Sequence, residues 1–172
     1  LCGDSWIGYF SPRDNKWNEA SNTTTFFFSE GWVNLMYEYA ITNIFAPWIQ
    51  LKNINMSGEN PNKEMYAIAQ ISKIMGLHRS TDKFGPIPYK QVGNGSFTVE
   101  YDSQESVYRS FFEELDEAVT VLYDFYMKAN NTVPMASDVV YEGDVTKWIR
   151  LANSLMLRLA IRVRYADEVL AR

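Results

Sequence analysis

The chain has 172 residues, enough for one substantial core, and its 47% hydrophobic and 22% charged residues exclude a disordered chain. Its formal net charge of −5 argues against nucleic acid as a partner, because binding to phosphates requires a basic surface. The single cysteine, Cys2, excludes an internal disulfide and a cysteine metal cluster. The sequence contains no run of about 18 apolar residues, so no membrane-spanning helix is predicted.

The chain opens with a segment of low regularity, followed by a helix. Residues 1–29 contain glycines, a proline and a polar Asn/Ser/Thr run, which predict an irregular, aromatic-rich segment. Apolar residues then recur at spacings of three and four over about 30–53, as on one face of a helix. Pro47 is expected to kink this helix or to break it in two. Trp32 and Trp48 lie on the apolar face and are predicted core residues.

A second helix is predicted from Asn60 to about Arg79, with an asparagine cap, a proline at the first helical position and an acid three residues later. Apolar residues, Met75 among them, surround it on nearly every side, so it is expected to be buried between neighbours. His78 would close this helix, and without a nearby carboxylate and nucleophile it is a poor catalytic candidate. The two prolines in residues 84–89 predict an extended loop.

Two more amphipathic helices follow. The first opens at a capping-box-like run, 102–105, and carries an apolar stripe at helical spacing: Val107, Phe111, Leu115, Ala118, Leu122 and Phe125. Its paired acids, Glu113–Glu114 and Asp116–Glu117, are expected on the solvent side and not as the facing acids of a glycosidase. The second spans about 145–170, with an inner stripe of Trp148, Leu151, Leu155, Leu159 and Val163. Residues 144–172 carry six Lys/Arg and three Asp/Glu, which we interpret as a solvated basic face, with an anion site as the alternative.

Three stretches carry a more specific signal. Residues 75–89 read as a helix end followed by FGPIPY, and residues 101–122 open with YDSQESVY. Residues 144–162 read DVTKWIRLANSLMLRLAIR and are the most specific of the three. In this order and spacing they resemble the SusD/RagB family of outer-membrane nutrient-binding lipoproteins.

The resemblance implies a mostly α fold of antiparallel, tetratricopeptide-like helix pairs in a superhelix with long loops. Family members are several hundred residues long, so residues 1–172 would form part of a single domain, from its amino-terminal half. The three blocks would be scaffold: Trp148 and Leu155 would pack, and Asn153 and Arg158 would satisfy buried groups.

The resemblance also implies a function. The protein would bind an oligosaccharide at the bacterial outer-membrane surface and pass it to a SusC-type TonB-dependent transporter. Its lipid anchor would lie outside this chain, because Leu1 precedes Cys2 where lipoprotein signals place a small residue. The alternatives are a relative that binds peptide or another nutrient, and a helical-repeat scaffold that binds only protein.

The best local match to a glycan site is the opening segment, where flat aromatic faces could cover sugar C–H surfaces while Arg and Asn groups bond hydroxyls. The predicted ligand-binding residues are Trp17, Trp6, Tyr9, Arg13 and Asn18, with Asn15 between them. The alternative is that these aromatic residues anchor an irregular segment onto the helices, and solvent exposure distinguishes the two. No motif of a nucleotide-binding loop, hydrolase or metal site is present, so we expect no enzymatic activity, metal or cofactor.

Overall fold

The helical prediction is confirmed by a computed structural model, which describes residues 7–9, 11, 13–14, 22, 25–27, 30–57, 59–128, 131–134 and 138–172. These residues contain the helices α1 (Glu30–Ala40), α2 (Ala46–Met56), α3 (Lys63–Phe84), α4 (Gln104–Met127) and α5 (Val145–Val163). Within the same residues there is no strand, and two isolated β-bridges join loops. The chain divides into compact units of residues 1–38 and 39–172, and its assignment to one domain stays a prediction.

The helix at Pro47 is widened and not broken. α1 leads into a π-helical turn, Ile41–Phe45, which continues into α2 with helical backbone angles at the junction. A proline inside a helix lacks the N–H for the usual bond and crowds the carbonyl four residues earlier, and a wider turn relieves that crowding. The turn packs against Gly76 of α3, where an added Cβ would lie 2.5 Å from Cδ1 of Ile44.

α3 begins and ends later than predicted. Its cap is Asn62, whose side chain accepts a bond from the Met65 amide at 3.0 Å, and it continues to Phe84. His78 therefore lies inside the helix and is buried, and the prediction that it closes the helix was wrong. Met75 is exposed, but the other apolar residues at the centre of α3 are buried as predicted: Ala67, Ile68, Ala69, Ile71, Ile74 and Leu77.

α4 follows its predicted pattern closely. Ser103 caps it by accepting a bond from the Ser106 amide at 3.2 Å. Of the six residues in the predicted stripe, five are buried and Phe125 is half-buried. The helix runs antiparallel to α3, because the middle of each helix meets at Lys73 and Glu114, while the end of α3 meets the start of α4.

α5 is shorter than predicted and ends at Val163, with turns following it. Asp144 caps it through the amides of Thr146 and Lys147, and Trp148, Leu155 and Leu159 are buried as predicted. Asn153 and Arg158 are exposed, so the prediction that they satisfy buried groups was wrong: both lie on the outer face. The basic residues of 144–172 are likewise exposed, as a solvated face requires.

The loop before α5 is organised by Asp138. This buried carboxylate accepts bonds from the amides of Val140, Tyr141 and Gly143 at 2.9–3.0 Å and from the Trp148 indole at 2.7 Å. Burial alone would raise its pKa, but these four hydrogen bonds together hold the pKa below its usual value of 3.8. Gly143 adopts φ +77°, and a Cβ there would collide with the Val133 carbonyl, so only glycine fits.

Candidate functional site

Two of the five predicted ligand-binding residues fall within the described structure. Tyr9 lies in a bend with 77% of its surface exposed, and Arg13 is also exposed. Trp6, Trp17 and Asn18, together with Asn15, lie outside the described residues. An open ring such as that of Tyr9 suits ligand stacking. The assignment of all five residues to a ligand site stays a prediction.

A buried lysine lies between α3 and α4. Lys73 has a side-chain exposure of 2% and pairs with Glu114 at 2.8 Å. Its ammonium lies 4.1 Å from the ring centre of Trp48 and 4.6 Å from that of Tyr89. The Tyr89 hydroxyl donates to the same Glu114 carboxylate at 2.5 Å. We call Lys73, Glu114 and Tyr89 the lysine cluster.

The lysine cluster corrects one prediction and explains two shifted pKa values. Glu114 was expected on the solvent side but faces inward with 23% of its side chain exposed, whereas Glu113 is exposed as expected. Burial lowers the pKa of Lys73, an effect that Glu114 opposes. Burial also raises the pKa of Tyr89, and the Glu114 charge and hydrogen bond add to it. The members of the cluster bond one another, and through Lys73 and Glu114 they join α3 to α4.

A cavity of about 460 Å³ lies where the ends of three helices meet. On its floor the carboxylate of Asp82, near the end of α3, accepts a bond from the Tyr108 hydroxyl of α4 and pairs with Arg162 of α5. Burial raises the pKa of Tyr108, and the hydrogen bond to Asp82 adds to this shift. We call Asp82, Tyr108 and Arg162 the cavity cluster. The sequence did not point to these residues as a site, although each comes from a different one of the three blocks.

Two further carboxylates of the cavity lining, Glu105 and Asp167, pair with Arg109. Arg109 bonds Glu105 through its Nε at 3.0 Å and Asp167 through Nη2 at 2.6 Å. Val163, Ala166 and Leu170 line the cavity with apolar surface. The cavity therefore combines paired charges with an apolar wall, and its volume lies in the range of small-molecule sites, roughly 300–1,000 Å³.

His78 is the remaining titratable group near the cavity cluster. Its Nδ1 faces the Met75 carbonyl at 2.9 Å, and its buried Nε2 has no hydrogen-bond partner among the described residues. Burial lowers the pKa of His78, an effect that Asp82 opposes, so the ring is neutral at physiological pH. A neutral, enclosed imidazole without a nucleophile beside it acts as a core residue.

Two further findings concern only the part of the chain that the structure describes. None of its helices is long and apolar enough to cross a membrane. No group of three or more His, Cys, Asp or Glu side chains in it is arranged to hold a metal ion.

Solved structures of the same architecture exist. A chitin-binding SusD homologue from Flavobacterium johnsoniae is 33% identical with a TM-score of 0.84, covering 98% of this chain and 34% of that one. A SusD homologue from Bacteroides vulgatus is 32% identical with a TM-score of 0.76, covering 86% and 30%. One from Bacteroides uniformis is 41% identical with a TM-score of 0.65, covering 76% and 26%. The chain thus spans 26–34% of the length of these relatives.

Among curated protein sequences, none matches this chain. The family model of SusD-like proteins, described as Susd and RagB outer membrane lipoprotein, matches residues 1–172. The predicted fold of tetratricopeptide-like helix pairs is confirmed by the agreement with the solved relatives. The chain belongs to the SusD-like family.

Proposed function

We propose that the protein captures an oligosaccharide at the outer face of the bacterial outer membrane and passes it to a SusC-type TonB-dependent transporter. The observation that carries this proposal is the family match, which extends over the whole chain and names outer membrane lipoproteins. A glycan ligand is supported by the similar chitin-binding homologue, which is 33% identical over 98% of this chain and 34% of its own length.

In the proposed mechanism the opening segment provides the capture surface. The rings of Trp6, Tyr9 and Trp17 would stack on the C–H faces of sugar units, and Arg13 and Asn18 would donate to hydroxyls. The exposure of Tyr9 and Arg13 supports this assignment. Affinity would arise from apolar contact and specificity from hydrogen bonds. No bond of the ligand would be broken, so release of free sugar by the pure protein would contradict the proposal.

The proposed location is supported by the same family description. The protein would be held at the outer membrane by a lipid anchor, which would leave its binding surface facing the medium. Cross-linking in the native host should then join the protein to a SusC-type transporter, and extraction should place it in the outer-membrane fraction. Recovery in the cytoplasmic fraction would contradict the proposed location.

Calorimetric titration against chitin, starch and host-type oligosaccharides tests the ligand class. Trp17→Ala should weaken binding roughly fivefold to tenfold, because one aromatic contact contributes about 1 kcal/mol. Tyr9→Ala should weaken it less. Tyr165→Ala is the matched control, because Tyr165 is 92% exposed and lies outside the opening segment. Equal losses in all three variants would count against the assigned residues. Binding of peptides with no response to any glycan would instead favour peptide uptake.

A further inference from the structure

The cavity at the three helix ends contains groups that the proposed capture surface does not use. It lies wholly within residues 82–170, outside the opening segment. We propose that this cavity is a second binding site, and that its ligand is a short neutral saccharide. The proposal goes beyond the proposed function, because it adds a separate site on the helical scaffold.

The charges around the cavity favour a ligand that is not anionic. The cavity lining carries Asp82, Glu105 and Asp167 against a single cation, Arg162. An excess of negative charge disfavours anionic ligands such as uronic acids or phosphates. Arg109 nevertheless pairs with two of these carboxylates, and Arg162 pairs with the third. These pairings leave one carboxylate charge in excess, and the carboxylate oxygens keep lone pairs that can accept bonds from ligand hydroxyls.

Arg162 and Gln104 offer hydrogen-bond donors and an acceptor to a ligand in the cavity. Arg162 has five N–H donors and its pairing with Asp82 uses Nη1, so its other nitrogens can donate to a ligand hydroxyl. The Gln104 side chain donates Nε2 to the Thr81 carbonyl at 2.7 Å, which leaves its amide oxygen as an acceptor beside the cavity. Planar groups that are already held by neighbours bind hydroxyls at a low entropic cost.

One side of the cavity is apolar. Val163, Ala166 and Leu170 form apolar surface on a cavity whose other groups are polar. A sugar ring has the same division, with C–H groups on its faces and hydroxyls around its edge. A purely polar ligand would leave the apolar surface in contact with water, and a purely apolar ligand would leave the charged groups without hydrogen bonds. A neutral saccharide satisfies both surfaces.

The test is an amide-resolved NMR titration of the protein with neutral cellobiose and N,N′-diacetylchitobiose and with cationic chitobiose. The proposal expects saturable shifts at the amides of Gln104, Ala166, Asp167 and Leu170 with the neutral sugars. Shifts at these amides with chitobiose alone would overturn it in favour of a cation site.

Two matched substitutions locate the effect. Ala166→Trp should fill the mouth of the cavity and reduce the affinity seen at these amides at least tenfold. Val169→Trp adds the same ring at a position that is 87% exposed and does not line the cavity, so it should leave the affinity unchanged. Asp167→Asn, which keeps the shape and removes an acceptor charge, should weaken binding without unfolding the chain. Unchanged affinity in Ala166→Trp would overturn the proposal.

The outcomes also separate this proposal from the proposed function. Neutral sugars that shift only amides of residues 1–29 would overturn the cavity site and leave glycan capture standing. Shifts at the cavity alone would support the second site and would count against the opening segment. No response to any saccharide would overturn both.

Discussion

The lysine cluster and the cavity cluster use the same chemical groups to join α3 to α4, but they differ in burial. Each consists of a tyrosine, a carboxylate and a cation. In the lysine cluster the cation is the enclosed member, with 2% of its side chain exposed. In the cavity cluster the cation is Arg162, with 45% exposed, and an open volume of about 460 Å³ lies beside it.

This difference determines what each cluster can do. A buried ammonium must remain paired, because its desolvation is costly and only its neighbours replace the lost water. The charged groups of the lysine cluster therefore bind one another, and the expected effect of this cluster is on stability. The cavity cluster keeps contact with solvent, so its charges cost less to hold and can exchange water for a ligand. The same groups are structural in one place and available for binding in the other.

The largest expected effect comes from removing the enclosed cation. Lys73→Met leaves the mostly buried Glu114 carboxylate with the Tyr89 hydroxyl but without its cation, and it removes two cation–π contacts. We expect a loss of about 3 kcal/mol in the free energy of unfolding, measured by urea denaturation at pH 7. Lys63→Met, on the same helix but exposed, should change stability by less than about 0.5 kcal/mol.

A double substitution distinguishes the effect of the Lys73–Glu114 ion pair on stability from the effect of packing around Lys73. In Lys73→Met/Glu114→Gln the buried charge is removed together with its partner, so part of the stability should return. A double variant less stable than Lys73→Met would show that the cost arises from packing around the lysine and not from the unpaired carboxylate. The distinction between the two clusters would then lose its electrostatic basis.

Asp138 offers a third case for the comparison of the two clusters, because this buried carboxylate is held by neutral donors. Asp138 is held by three amides and an indole, so Asp138→Asn should cost about 2 kcal/mol at pH 7. The pKa of Asp138 is lower in the folded state than in the unfolded state. Its contribution is therefore complete above pH 3.8 and is lost as the pH falls through the folded pKa. Urea denaturation at pH 7 and at lower pH should show the difference between wild type and variant shrinking in acid; a constant difference would contradict this.

The sequence predicted those parts of the fold that depend on local pattern. The stripe of α4 and the buried apolar residues of α3 follow from their spacing, and the start of α4 follows from the capping-box-like run 102–105. The end of α3 was missed because Ser80 and Thr81 look like helix-breaking polar residues, yet both are buried in the helix. The packing of neighbouring helices overrides their weak local preference.

The candidate sites were less predictable, for a physical reason. Asp82 and Arg162 are 80 residues apart and meet only because three helix ends converge. In the sequence Glu114 stands among other acids, Glu113, Asp116 and Glu117, and was therefore predicted to lie at the surface. In the structure those three residues are exposed, whereas Glu114 faces inward and pairs with Lys73 on another helix. Spacing along one helix indicates a face, but it does not identify the residue that lies opposite.

The smallest expected effect is at the cavity cluster. Tyr108→Phe removes one hydroxyl that donates to Asp82, but Arg162 still pairs with that carboxylate and solvent can reach the cavity. We expect a loss of about 1 kcal/mol in the free energy of unfolding, clearly below that of Lys73→Met. Tyr123→Phe, on the exposed side of the same helix, is the control and should be neutral. A loss in Tyr108→Phe as large as that in Lys73→Met would mean that Asp82 depends on the hydroxyl as an enclosed charge does. The cavity would then be part of the closed core, and its availability for a ligand would have to be abandoned.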